Sequence, residues 1–267
     1  MKITFIGGGN MAEAIISGIK ANEIACEILV SEPIECRRKI LEKKYGVMVT
    51  FNNNDLLNES EFVLLAIKPQ IFPNIAKEIK LSLKPSQTII SIMAGISIGN
   101  LTENLNHKNI IRVMPNTPSQ IGKGCAVWMP TKEVEKNKID IFREILKSCG
   151  SEIQVDAEKN IDIATAISGS GPAYIFLFLQ TLINSATSLG LDKDVAKKIS
   201  VETVLGSAYL ARNRSKNLKE LIEMVTSPGG TTEAGISVLK SNGFSSLVNS
   251  AVLSAYKRGI EISKGKK

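Results

Sequence analysis

Lys2-Ile-Thr-Phe-Ile6 has β-forming character and runs directly into Gly7-Gly-Gly-Asn-Met-Ala12. Glu13-Ala-Ile-Ile-Ser-Gly-Ile-Lys20 follows, with its apolar residues at helical spacing. A strand, a glycine turn and a helix in so short a stretch leave little choice of fold. The strand needs neighbours in a sheet, and the helix needs that sheet to cover. Read as G-x-G-x-x-A, Gly7 permits the tight turn, Gly9 lets an anion approach the backbone, and small Ala12 lets helix and strand pack closely. A glycine turn without a ligand can carry the same letters. The strand before it, the helix after it and its place at the chain start favour a dinucleotide loop.

Further strands follow the same plan. Glu27–Ser31, Phe62–Ile67, Thr88–Ile92 and Asn109–Val113 are short apolar runs, as expected for strands buried on both faces. Gly124–Met129 and Glu152–Val155 read as two more, around a helix at 131–148. Strands alternating with helices predict an α/β fold with a doubly wound parallel sheet. Ligands bind at the carboxyl ends of such strands. Lys68, Ala94-Gly95 and Asn116-Thr117 would therefore face one crevice. Lys68 would either act there as a charge or simply end its strand. The second strand stops at Ser31-Glu32-Pro33, where the adenosine ribose would lie. Glu32 has the spacing of an acidic residue that binds a ribose 2′-hydroxyl and favours NAD. Ser31 with Arg37 and Arg38 would instead accept a 2′-phosphate, and the sequence leaves both alternatives open.

After residue 157 the strand-like runs stop and helical periodicity continues to the end. The boundary implies two domains, 1–157 and 158–267, which a 267-residue chain accommodates. Tyr174-Ile-Phe-Leu-Phe-Leu179 is apolar on every side of a helix, so it requires burial. A helical domain of about 100 residues has limited interior to hide it. An intertwined dimer is the expectation, and a central core helix in a monomer is the alternative. Thr226-Ser-Pro-Gly-Gly-Thr-Thr-Glu-Ala-Gly235 is a second glycine-rich turn that opens a helix. Its hydroxyls and free N–H groups suit an anion such as a carboxylate.

Composition narrows the function classes. The net charge is +7, but the cations, among them Arg37, Arg38, Lys197, Lys198, Arg212 and Arg214, are dispersed apart from the tail Lys264-Gly-Lys-Lys267. Aromatic residues make up only 5%, and no basic stripe interleaved with aromatics is present, so no nucleic-acid partner is expected. Cys26, Cys36, Cys125 and Cys149 lack C-x-x-C spacing and accompany a single histidine, His107, so no metal site is expected. No signal peptide and no run of about 18 apolar residues is seen, which predicts a cytoplasmic protein without a membrane span. His107 lies in the polar segment Asn106-His-Lys-Asn109 and reads as a solvated loop residue.

Taken in order, Phe5-Ile-Gly-Gly-Gly-Asn-Met-Ala12, Ala66-Ile-Lys-Pro69, Ser91-Ile-Met-Ala-Gly95, Arg112-Val-Met-Pro-Asn-Thr-Pro118, Ser168-Gly-Ser-Gly-Pro-Ala-Tyr174 and Thr226–Thr232 closely resemble the pyrroline-5-carboxylate reductases. These are the enzymes of the last step of proline biosynthesis, and the resemblance spans nearly the whole chain. It implies a Rossmann domain followed by an all-α dimerisation domain, with dimers that associate further, commonly into a decamer. It also implies NADPH as cofactor, with NADH possible. By the same resemblance Gly7, Gly9, Asn10, Met11 and Ala12 would hold the pyrophosphate, and Ser31 and Asn53 would lie near the adenosine ribose. Ala66, Ile67, Lys68 and Pro69, with Ile92, Met93 and Ala94, would line the cofactor toward the nicotinamide. Gly229, Gly230, Thr231 and Thr232 would bind the substrate carboxylate, and Thr232 would contact the ring nitrogen as the catalytic residue. Two positions depart from the pattern. Glu32 stands where several relatives carry a small or neutral residue, and Lys216-Asn217 stands where many carry His-Pro. A β-hydroxyacid dehydrogenase is a weaker match, because it would need a lysine on the helix from Pro172 through Thr181, and none is there. The Thr226–Thr232 loop argues against a dinucleotide sensor, which needs no second anion loop.

Overall fold

The computed structural model describes residues 1–213 and 215–263; Arg214 and the basic tail from Lys264 lie outside them. The chain divides into two compact units, Met1–Ser170 together with the segment from Ser254, and Gly171–Leu253.

The first unit is built on one eight-stranded sheet in the order β3-β2-β1-β4-β5-β6-β7-β8. The strands are β1 Lys2–Ile6, β2 Glu27–Ser31, β3 Met48–Thr50, β4 Phe62–Leu65, β5 Thr88–Ser91, β6 Ile110–Met114, β7 Gly124–Pro130 and β8 Gly150–Gln154. β1 to β6 are parallel, whereas β7 pairs antiparallel to β6 and carries β8 parallel to itself. The expected all-parallel sheet is therefore corrected at one edge. The segment 115–123 between β6 and β7 folds as a short 3₁₀ turn at Thr117–Ile121, too short for the crossover that a parallel partner needs.

Successive side chains of a strand point to opposite faces. Phe62 and Leu64 of β4 accordingly enter one apolar cluster, while Val63 and Leu65 enter the other. Helices α1 (Asn10–Ala21), α2 (Glu35–Tyr45) and α5 (Lys136–Lys147) cover the first face, with Ile15, Ile16, Ile19, Leu41, Phe142 and Ile145 buried against it. Helices α3 (Phe72–Ile79) and α4 (Ile98–Leu105) cover the second through Phe72, Ala76, Ile79, Leu101 and Leu105. From β1 the chain winds one way to β2 and β3 and the other way from β4 onward. The switch between β1 and β4 opens the crevice in which such sheets bind ligands.

The helical half begins with α6 (Glu158–Ala164), and a π-turn at Thr165–Gly169 leads into α7 (Gly171–Ser188). Joined in this way, Glu158–Ser188 is long and apolar enough by length and composition to cross a membrane, and only 6% of its apolar window is buried within the chain. The expectation of no such run is corrected, because the π-turn joins the charged α6 to the apolar α7 in one continuous helical stretch. α7 packs against α8 (Lys193–Asn213), which starts where Asp192 Oδ1 accepts the N–H groups of Asp194 and Val195 at 2.9 and 3.1 Å. Then come α9 (Leu218–Met224), α10 (Thr231–Ser241) and α11 (Phe244–Ser263). Asn217 opens α9 with a reciprocal capping box to Glu220. Among the described residues of Gly171–Leu253, only Ala196, Ser200 and Leu221 are buried.

Candidate active site

The turn after β1 is held by its surroundings. Gly7 has φ +97°, and a Cβ there would lie 2.6 Å from the Ala66 carbonyl oxygen. Only glycine satisfies both conditions. The turn is pinned from both flanks, because Gly7 N–H donates to the Ser31 carbonyl at 2.8 Å and Ala66 N–H donates to Ile6 at 2.9 Å. Gly9 is the extended N-cap of α1, has no side-chain cap, and faces open space on its Cβ side. The N–H groups of Asn10, Met11 and Ala12 open the helix in front of that space. The residues present fit a pyrophosphate, since the cradle is uncapped and a side chain would narrow it. Behind it, Glu13 accepts from Lys44 Nζ at 2.8 Å, Tyr45 Oη at 2.9 Å and Arg37 Nη2 at 2.5 Å. The Lys44 hydrogen bond leads in drawing its carboxyl pKa down to about 2, with Tyr45 and Arg37 adding to it.

At the end of β2, Ser31 Oγ donates to Asn53 Oδ1 at 2.7 Å, so the two expected ribose-side residues are adjacent. Asn53 in turn donates to both Glu78 oxygens at 3.1 Å. The ends of β4 and β5 sit side by side in the sheet. Ala66, Ile67 and Pro69 are half-buried there, and Lys68 is exposed. Ile92 and Ala94 are half-buried, whereas Met93 is 2% exposed within the apolar cluster and presents almost no surface to the crevice. The sequence carries this parity, but an apolar residue at a strand end signals it poorly. Asn116 turns its Oδ1 onto Cys125 N–H at 2.8 Å and so serves its own loop. One neighbour was not legible at all. The last turns of α11 return to the sheet unit, and a Cβ on Gly95 would meet Ile262 Cγ2 at 2.8 Å.

His107 is not a solvated loop residue. It is 5% exposed, and its Nε2 meets the Gln87 carbonyl at 2.8 Å. Burial, the larger effect, lowers its pKa, so the ring is a neutral structural link.

In the helical unit, Gly229 has φ +70° and Gly230 is the extended N-cap of α10, again without a side-chain cap. Gly230 N–H donates to the Ser227 carbonyl at 3.0 Å, which closes the turn. Thr231 and Thr232 therefore open α10 with N–H groups that have no intrahelical acceptor. Glu233 was missed by sequence reasoning. Its Oε2 accepts Gly229 N–H at 2.8 Å and brings a carboxylate into the turn.

Two family models match the chain. One, described as pyrroline-5-carboxylate reductase dimerisation, matches residues 158–262, and the other, described as NADP oxidoreductase coenzyme F420-dependent, matches residues 2–95. A pyrroline-5-carboxylate reductase from Synechocystis sp. is 37% identical over 99% of both chains. The structure of a pyrroline-5-carboxylate reductase from Coxiella burnetii superposes with a TM-score of 0.90 at 36% identity, covering 98% of each chain. That of the Plasmodium falciparum pyrroline carboxylate reductase with NADP bound gives 0.89 at 31% identity, again over 98% of each. With its sheet unit, its helical half and both glycine turns matched from end to end, the chain belongs to the pyrroline-5-carboxylate reductase family.

Proposed function

We propose that this chain reduces L-1-pyrroline-5-carboxylate to L-proline with NAD(P)H, the last step of proline biosynthesis. The observation that carries the reading is the uncapped start of α10, where Thr231 and Thr232 present backbone N–H groups without an intrahelical acceptor, together with their hydroxyls, just after the turn formed by Gly229 and Gly230. The bound nicotinamide supplies the hydride. Gly7, Gly9, Asn10, Met11 and Ala12 hold its pyrophosphate, and Ser31 and Asn53 stand by the adenosine ribose. Ala66 to Pro69 and Ile92 to Ala94 line the cofactor toward the nicotinamide. Residues 1–157 serve the cofactor, and residues 158–267 serve the substrate and dimerisation.

The imine chemistry suits these residues. With its nitrogen protonated, the ring already has an electrophilic C5, so the site must chiefly hold the carboxylate and orient the ring. Alcohol oxidation would instead need a positioned base, commonly histidine. His107 is buried with its Nε2 engaged, so it cannot fill that role. The Thr232 hydroxyl hydrogen-bonds the ring nitrogen and follows it from iminium to amine. The exposed apolar residues of α7, such as Phe176 and Leu177 at 63% and 69%, support a homodimer over a membrane span, and the family resemblance implies further association, up to a decamer. Four unpaired cysteines accord with a cytoplasmic setting. Thr232→Ala should lose at least ~10-fold in kcat/KM, about 1.4 kcal/mol of transition-state stabilisation, while Thr232→Ser retains most of it. An unchanged rate in Thr232→Ala removes that residue from the mechanism.

A further inference from the structure

The residue after β2 is built into the glycine turn. Glu32 is 7% exposed, and both its carboxylate oxygens are fixed. Oε2 accepts Gly8 N–H at 2.8 Å and Oε1 accepts Ile34 N–H at 2.9 Å. The carboxylate is thereby pinned beside the pyrophosphate turn, at the strand end where this fold meets the adenosine ribose. The nearby cations are engaged elsewhere. Arg37 donates from Nε to the Gly8 carbonyl at 2.6 Å and from Nη2 to Glu13 at 2.5 Å. Arg38 donates from Nη1 to the carbonyls of Glu32 and Pro33 at 2.6 and 2.9 Å, and its guanidinium stands 6.0 Å over the Phe51 ring. On the other flank, Ser31 donates to Asn53, which is held by the second carboxylate, Glu78.

We propose that Glu32 makes this chain select a ribose 2′-hydroxyl over a 2′-phosphate, so that NADH is the preferred reductant. An ionised carboxylate only accepts hydrogen bonds. Its remaining lone pairs suit the donor protons of ribose hydroxyls. A 2′-phosphate brings almost no proton to share near pH 7 and places a second negative charge against a poorly solvated one. The same anchoring keeps Glu32 from swinging aside, because doing so would strip Gly8 and Ile34 of their acceptors. The preference as a reductase rests on the function proposed above, but the binding preference does not.

Calorimetric titration of the full chain tests this with two matched pairs, NADH against NADPH and 5′-AMP against adenosine 2′,5′-bisphosphate. The wild type should bind the members without the 2′-phosphate at least ~10-fold more tightly, about 1.4 kcal/mol. Glu32→Gln keeps an acceptor for Gly8 N–H but loses the charge, and Glu32→Ser clears the space. Each should move both ratios toward the phosphorylated member by ~10-fold or more. Equal or tighter binding of NADPH by the wild type would overturn the proposal and assign the 2′-phosphate to Arg38. Ratios unchanged in both variants would also overturn it. The nucleotide fragments need no imine turnover, so a failure of the reductase reading would leave this comparison intact.

Discussion

Single atoms decide the behaviour of several positions. Gly7→Ala would add a Cβ 2.6 Å from the Ala66 carbonyl to a backbone already at φ +97°. The turn must shift, and with it the N–H groups that open α1. NADH affinity measured by calorimetry should fall at least ~10-fold, beyond what a tolerated surface change would cause. Normal affinity would show that the turn does not hold the cofactor. His107 gives a pH signature. Its folded pKa lies below the ordinary histidine value of 6.5, so the unfolded chain binds the proton more readily. Its contribution to stability is complete above about pH 6.5 and declines as pH falls toward the lowered value. Urea midpoints of wild type and His107→Gln should therefore converge as pH drops from 7 to 5. A gap independent of pH would contradict the neutral buried ring. Glu13 works in the carboxylate range. With its pKa drawn down to about 2, its contribution is present above the unfolded value near 4.5 and is lost as pH falls to about 2.

At the scale of elements, α6 is fastened to the sheet by charge. Arg112 of β6 is 2% exposed, and its Nη1 and Nη2 each lie 2.6 Å from a carboxylate oxygen, of Glu158 and Asp162 respectively. Glu158 also accepts Ile98 N–H at 2.7 Å, which ties in the start of α4. Arg112→Met should cost about 3 kcal/mol in urea unfolding, the low end for breaking a buried pair, because both carboxylates keep some solvent. A loss below about 1 kcal/mol would make the cluster a surface ornament. The elements also show what a sequence can reveal. The runs at β1, β2, β4, β5 and β6 were legible because a strand buried on both faces needs unbroken apolar residues. β3 was not, since Met48–Thr50 is three residues long with none buried. The predicted helix at 131–148 starts only at Lys136, after Thr131 and Val134 close a turn at 3.2 Å. Around the site, glycine spacing fixed both turns. The commitment of Arg37 to Gly8 and Glu13, and of Glu233 to Gly229, depends on side-chain directions that letter order does not carry.

At the scale of the whole molecule, the helical unit leaves its apolar residues uncovered. Between Gly171 and Leu253 the described residues bury almost nothing, while Phe176, Leu177, Val238 and Leu247 are 61–70% exposed. Apolar helices gain stability only by losing water contact, so a second copy is the natural cover. The matched dimerisation model over residues 158–262 agrees with that. Thermal unfolding should rise in Tm with protein concentration, as expected for folding linked to association. Leu177→Glu should shift the species seen by sedimentation toward smaller assemblies and lower the Tm. A monomer whose Tm ignores concentration would require another use for these helices. The most direct test of the account as a whole is the initial rate of NADH and of NADPH oxidation by the purified full chain with L-1-pyrroline-5-carboxylate, with proline quantified alongside. Rapid oxidation with one proline formed per reduced nucleotide, faster with NADH, is the predicted result. Tight nucleotide binding with no proline from either cofactor would contradict the reductase assignment.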